Sequence, residues 1–198
     1  MSQFAPPTPP ERHIPRATYF FTIRLAERHS DLLLRQINVL RHAMRATLNR
    51  HPFRIDAITV LPATLHMIWR LPAGDDAYPA RIAMLKSRFS RGCPMPPHRS
   101  LAQIKRGEKG IWQRRHWEHV IGDADDLARH RRLIYLAPVH AGLCTQPQDW
   151  PHSSLHRDLR QGQAAATAFR GETKITASPR RARPVQHCSQ DHAAPAGT

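Results

Sequence analysis

Residues 64–71 alternate strictly. Leu65, Met67, Trp69 and Leu71 fall on one side of an extended chain, and Thr64, His66, Ile68 and Arg70 on the other. A half-buried strand therefore runs through the middle of the sequence, with one row of side chains for a core. Upstream, residues 53–61 read as a second strand that Pro62 interrupts at a turn or an edge. Thr18-Tyr19-Phe20-Phe21-Thr22-Ile23, β-branched and aromatic, reads as a third. The segment between follows a different period. Ser30 offers an N-cap, and Leu33, Ile37, Leu40, Met44 and Leu48 recur at helical spacing as one apolar stripe.

Further along, residues 79–91 predict a basic amphipathic helix with Ile82, Leu85 and Phe89 on its apolar side, followed by a Pro-rich loop over 93–100. Residues 117–121 predict another strand, with Trp117 in the core. Asp123 caps a helix that runs to about Leu136 or slightly beyond, with Pro138 and Gly142 marking its end. This alternation of elements predicts an α+β fold, an antiparallel sheet with helices packed on one or both faces, and ferredoxin-like is the expected arrangement.

The folded unit is expected over residues 17–160. Residues 1–16 form a basic, Pro-rich leader without periodicity. Residues 161–198 are rich in Ala, Gly, Pro and Arg, too poor in large apolar side chains to offset the entropy of ordering, and are expected to be a disordered basic tail. Across the 198 residues, 30 Lys and Arg face 15 Asp and Glu, a formal charge of +15. That imbalance points to a polyanion, most often nucleic acid, and away from a small-molecule substrate. Between Lys86 and Arg132 twelve cations face five carboxylates. Within that stretch Lys86, Arg88, Arg91, Lys105, Arg106, Arg114 and Arg115 are the candidate phosphate contacts, and Trp112 offers a ring for an unpaired base. No apolar run suits a membrane span. The three cysteines, Cys93, Cys144 and Cys188, form neither a disulfide framework nor a zinc quartet, which fits a cytoplasmic protein.

Several stretches in order resemble one family. They are Thr18-Tyr19-Phe20-Phe21-Thr22, Asp56-Ala57-Ile58-Thr59-Val60-Leu61-Pro62, Leu65-His66-Met67-Ile68-Trp69, Gly110-Ile111-Trp112-Gln113-Arg114-Arg115, Trp117-Glu118-His119, Pro138-Val139 and Asp149-Trp150-Pro151-His152-Ser153-Ser154. Together they are similar to the REP-associated tyrosine transposases, of the single-tyrosine, His-hydrophobic-His superfamily. The resemblance implies a ferredoxin-like domain that cuts and joins single-stranded DNA beside a hairpin, and a cytoplasmic, nucleoid-associated protein. It implies a divalent ion, Mg²⁺ or Mn²⁺, held by two histidines on one strand face, and a helical tyrosine that attacks phosphorus. A polar ligand one helical turn after the tyrosine completes the ion's shell.

In this sequence the first histidine falls on Thr64 and the second on His66. The tyrosine falls on Leu133 and the i+4 ligand on Ala137. Leucine cannot attack phosphorus and alanine cannot bind a metal, so the resemblance implies DNA binding with impaired catalysis. Tyr135 is the alternative nucleophile, but it lies two residues past the family position, about 200° round the helix. Two other readings stand beside the first: an active transesterase using Tyr135, and a nucleic-acid-binding module repurposed as a repressor.

Overall fold

The computed structural model describes residues 18–96 and 98–162; the leader and nearly all of the tail, with Cys188, lie outside the described residues. Four strands form one sheet: β1 (Thr18–Arg24), β2 (Arg54–Val60), β3 (Thr64–Arg70) and β4 (Trp117–Val120), in the order β2-β3-β1-β4 with every neighbouring pair antiparallel. β3 is thus inserted between β1 and β2, the split β-α-β topology of a ferredoxin-like fold.

The alternation in β3 is realised. Leu65, Met67 and Trp69 are fully buried and join Phe21 and Ile23 of β1 in the larger core. That core is closed by α1 (Leu32–Arg35), α2 (Ile37–Arg50) and α3 (Tyr78–Gly92), which contribute Leu33, Leu40, Met44, Ile82, Leu85 and Phe89. The opposite sheet face carries a smaller core of Phe20, Ala57 and Ile68 beneath α5 (Ala124–His140) and α6 (Leu155–Arg160), with Ile134, Tyr135 and Leu155 packed in.

Three local expectations need correction. The apolar stripe of residues 33–48 is split at Gln36 into α1 and α2. The Leu33 N–H donates to the Pro62 carbonyl (3.2 Å), so the first turn aligns with the β2–β3 connection. Pro138 does not end α5 but sits buried inside its last turn. The helix stops at Gly142, whose φ of 68° lets Gly142 N–H reach Val139 O (2.9 Å) and Leu143 N–H reach Pro138 O (2.9 Å). Only a residue tolerant of positive φ closes a helix in that double bond. The loop after α3 also contains α4 (Leu101–Lys105), set by a capping box between Ser100 and Gln103.

α5 is anchored to the sheet by polar side chains as well. Buried Asp56 on β2 accepts from Arg131 Nε (2.6 Å) and pairs with Arg70 (3.0 Å). The Tyr135 hydroxyl donates to buried Asp158 of α6. Both contacts fix the rotation of α5, and with it the direction of every other residue on that helix.

Candidate functional site

The register sets out the site. Thr59, His66, Thr22 and Trp117 lie opposite one another in a row across all four strands, on the face that α5 partly covers. Two residues along, Arg24 at the end of β1 lies opposite Thr64 at the start of β3, on the same face. The His66 Nδ1 is 2.9 Å from the Thr22 hydroxyl, and its ring stacks on Phe20 with centroids 6.0 Å apart. Burial, reinforced by the positive charge of Arg24, pushes the His66 imidazole down to about 4. The ring is therefore neutral near pH 7.

The positions that correspond to the implied metal and nucleophile are set by the same geometry. Thr64 is half-buried beside His66 on the open end of the face. Leu133 is 42% exposed on α5, and Ala137 is half-buried one turn on. Tyr135 points the other way: it is 2% exposed and bound to Asp158. Burial first, and then the bond to the Asp158 carboxylate, raise its phenol well above the ordinary tyrosine range. A hydroxyl, one imidazole, an isobutyl group and a methyl group do not make the divalent-ion shell that the resemblance implies, and a guanidinium stands next to them.

A second group of donors escaped the sequence reading. His119 on β4 and Asp126 and His130 on α5 bring their donor atoms within 4.8 Å of one another. The spacing His119–Asp126–His130 contains an i,i+4 helical pair, which was the available signal. The carboxylate is already engaged, by His119 Nε2 (2.8 Å), Gly122 N–H (3.0 Å) and Arg129 (2.6 Å), while His130 Nδ1 bonds to the Asp126 backbone carbonyl (2.9 Å) and lies 2.9 Å from the carboxylate as well. The two imidazoles stack 4.5 Å apart at 20°. Rings so nearly parallel direct their in-plane lone pairs alongside each other rather than onto one point. As they stand, these three residues clasp the start of α5 to β4; ligating one ion would require the rings to turn.

Trp117 is not in the core. It is 42% exposed on the edge strand, edge-on to Phe20 (5.3 Å) and stacked on His119 (5.9 Å, 6°). β4 has a partner on one side only, and the indole of Trp117 is left partly open to solvent. Trp112, by contrast, is half-buried against Phe89 (5.1 Å), with its indole N–H given to the Lys86 carbonyl (3.1 Å).

The basic segment divides into structural and free cations. Lys86 donates to the Gln113 and Arg114 carbonyls (3.0 and 3.3 Å), and Lys109 to those of Ser90 and Cys93 (2.8 and 2.7 Å). These bonds tie α3 to the 107–114 segment. Arg106 is paired with Glu108 at 2.9 Å. Arg88, Arg91, Lys105 and Arg115 are exposed and make no ion pair among the described residues. Lys86, Arg91, Trp112 and Arg114 do line one cleft, of about 550 Å³; Arg88, Lys105, Arg106 and Arg115 lie outside its lining.

No family model matches the sequence. Two relatives do. A protein of Haemophilus influenzae assigned to the REP-associated tyrosine transposases is 44% identical over 143 residues, covering 72% of this chain and 81% of its own. The REP-associated tyrosine transposase of Escherichia coli K12 is 40% identical over 150 residues, covering 76% and 83%. The fold is similar to a solved REP-associated tyrosine transposase bound to a REP hairpin, with a TM-score of 0.71 and 36% identity over 92% of this chain and all of that one.

Proposed function

Because the chain belongs to the family of REP-associated tyrosine transposases, we propose that it binds single-stranded DNA beside a hairpin on the open sheet face around His66, without carrying out tyrosine transesterification. The observation that carries the second half is the rotation of α5. It presents Leu133 where the family places its nucleophile, and it turns Tyr135 into the interior against Asp158. A phenol that is buried, hydrogen-bonded to a carboxylate and raised in pKa is not activated for attack. Tight binding does not replace the missing group, since binding ground and transition states equally leaves the barrier unchanged.

DNA binding is supported by the charge of +15, by the hairpin-bound relative of the same fold, and by the character of the face itself. Trp117 offers a ring to an unpaired base, two strands from His66 and so about 10 Å away at ordinary strand spacing. Arg88, Arg91, Lys105 and Arg115 add uncommitted positive charge away from that face, Arg88 and Arg91 on α3 behind the sheet, and Arg114 and Trp112 stand at the cleft beside α3; there they strengthen the general attraction to a polyanion. Among the described residues no helix is long and apolar enough to cross a membrane, and the reading places the protein with the nucleoid in the cytoplasm.

The test is a denaturing gel with a hairpin substrate and Mn²⁺. The wild-type chain is expected to bind the hairpin, with affinity falling steeply as salt rises, and to form no covalent adduct. The triple variant Thr64→His, Leu133→Tyr, Ala137→Asn restores the same-face imidazole pair and the i,i+4 tyrosine–ligand pair, and is expected to form one where the single variants do not, because such groups act as a unit. A wild-type adduct abolished by Tyr135→Phe would overturn the proposal and establish the transesterase reading.

A further inference from the structure

Next to His66, where the donor set for a divalent ion is broken, the chain builds a pocket of the opposite character. Arg24, Arg28, Thr64 and Gln113, with Leu25 and Ala63, line a polar hollow of about 240 Å³. That is smaller than the 300–1,000 Å³ typical of small-molecule pockets and suits a group rather than a whole ligand. Arg24 is fixed at the last position of β1 opposite Thr64, and its carbonyl accepts from the Gln113 N–H (2.9 Å), which pins the far wall. Arg28 follows in the turn before α1.

Both guanidinium groups are exposed, and no carboxylate pairs with either among the described residues. Elsewhere the chain spends its carboxylates freely on arginines. Arg35, Arg70, Arg81, Arg106, Arg129, Arg131 and Arg157 all have one. Nearly every polar side-chain atom at the hollow is therefore a donor. Two forks of N–H groups, the Thr64 hydroxyl and the Gln113 amide meet with no acidic group in the lining.

We propose that this pocket binds one phosphodiester of the single-stranded DNA directly, through Arg24, Arg28 and Thr64, so that a guanidinium pair takes the role of a divalent ion in holding the backbone against His66. The proposal rests on the DNA-binding reading above and adds the site, the ligand group and independence from metal. Arginine matches a phosphate in shape as well as charge, because two N–H groups of one plane meet two oxygens. The positive charge that holds the phosphate also repels a cation from the neighbouring imidazole, so phosphate and metal compete for one place on this face. His66, stacked on Phe20, lies two residues along β3 from Thr64 on the same face, just outside the lining of the hollow, so a backbone held at the hollow runs on past it.

The experiment is fluorescence anisotropy on the full chain with a labelled hairpin carrying a single-stranded 5′ extension. It is titrated across salt, once with EDTA and once with Mg²⁺. Wild-type affinity is expected to be the same in both. Arg24→Gln combined with Arg28→Gln is expected to weaken binding about tenfold and to make the slope of log affinity against log salt shallower by about one. Arg41→Gln with Arg45→Gln, the same charge change on α2 across the sheet, is expected to leave affinity within about twofold. In a scan of single methylphosphonate linkages, one position should weaken the wild type and have no effect on the Arg24/Arg28 variant. Wild-type affinity and slope in that variant, or loss of wild-type binding in EDTA, would overturn the pocket while leaving DNA binding intact. A wild-type chain that binds no hairpin at low salt would overturn both.

Discussion

Replacing Tyr135 by Phe separates the two faces of α5. Tyr135 and Asp158 are 2% and 1% exposed, and the hydroxyl donates to the Asp158 carboxylate. Removing the hydroxyl leaves a carboxylate oxygen in the interior without that donor. Arg157 Nε remains on the other oxygen at 2.8 Å. A buried acceptor stripped of its partner costs about 1–3 kcal/mol. Taking about 2 kcal/mol, a chain of this size loses about 4–8 °C of melting temperature. Leu133→Ala, two residues away on the exposed face, is expected to cost less than about 1 kcal/mol, since a position that is 42% exposed gives up little buried area. Urea titrations of the two variants beside the wild type measure both numbers. If Tyr135→Phe were as stable as the wild type to within about 0.5 kcal/mol, the phenol would not carry the bond described, and the rotation assigned to α5 would be wrong.

Acid stability depends on the clasp at the start of α5. Burial alone would raise the Asp126 carboxyl, but the His119 hydrogen bond, the Gly122 N–H and the nearby imidazoles outweigh it and hold the group at about 2. Its stabilisation is thus complete above the unfolded value near 4 and lost as pH falls through about 2. Asp126→Asn should cost about 2 kcal/mol at pH 7, and its urea midpoint should converge on the wild type's as pH drops from 4 to 2; parallel curves over that range would contradict the assignment. The C-terminal boundary of the domain gives a further outcome. A chain ending at Arg160 should keep its melting temperature within about 2 °C, whereas one ending at Trp150 should lose its cooperative transition. The latter lacks buried Leu155 and Asp158 and the Ser154 bonds to the Ile58 backbone. An insoluble chain ending at Arg160 would place residues 161–198 in the core.

Much of the fold is legible in the sequence because its determinants are local. The period of two in residues 64–71 settles which residues of β3 share a face, and so puts Thr64 and His66 together on the face opposite the larger core. Asp123 and Gly142 mark the ends of α5 through their own backbone preferences. The family motif adds where nucleophile and ligands belong, and the identities of Leu133 and Ala137 at those places follow from reading the chain. Trp117 misleads, because average tryptophan burial says nothing about a strand that ends up at a sheet edge.

What only the tertiary structure decides is which distant groups meet. Lys86 looks like a phosphate contact until the 113–114 carbonyls close on its ammonium. Tyr135 is a candidate nucleophile until Asp158, 23 residues on, takes its hydroxyl. His119 joins Asp126 and His130 across a strand-to-helix turn. Arg24, Arg28, Thr64 and Gln113 share a wall only because β3 lies between β1 and β2 and the 111–113 segment pairs beyond the end of β4. Local sequence carries periodicity, caps and turns, each set by a few neighbouring dihedral angles. Register and helix rotation emerge from the packing of the whole domain, and they determine which charges are spent on the fold and which are left for DNA.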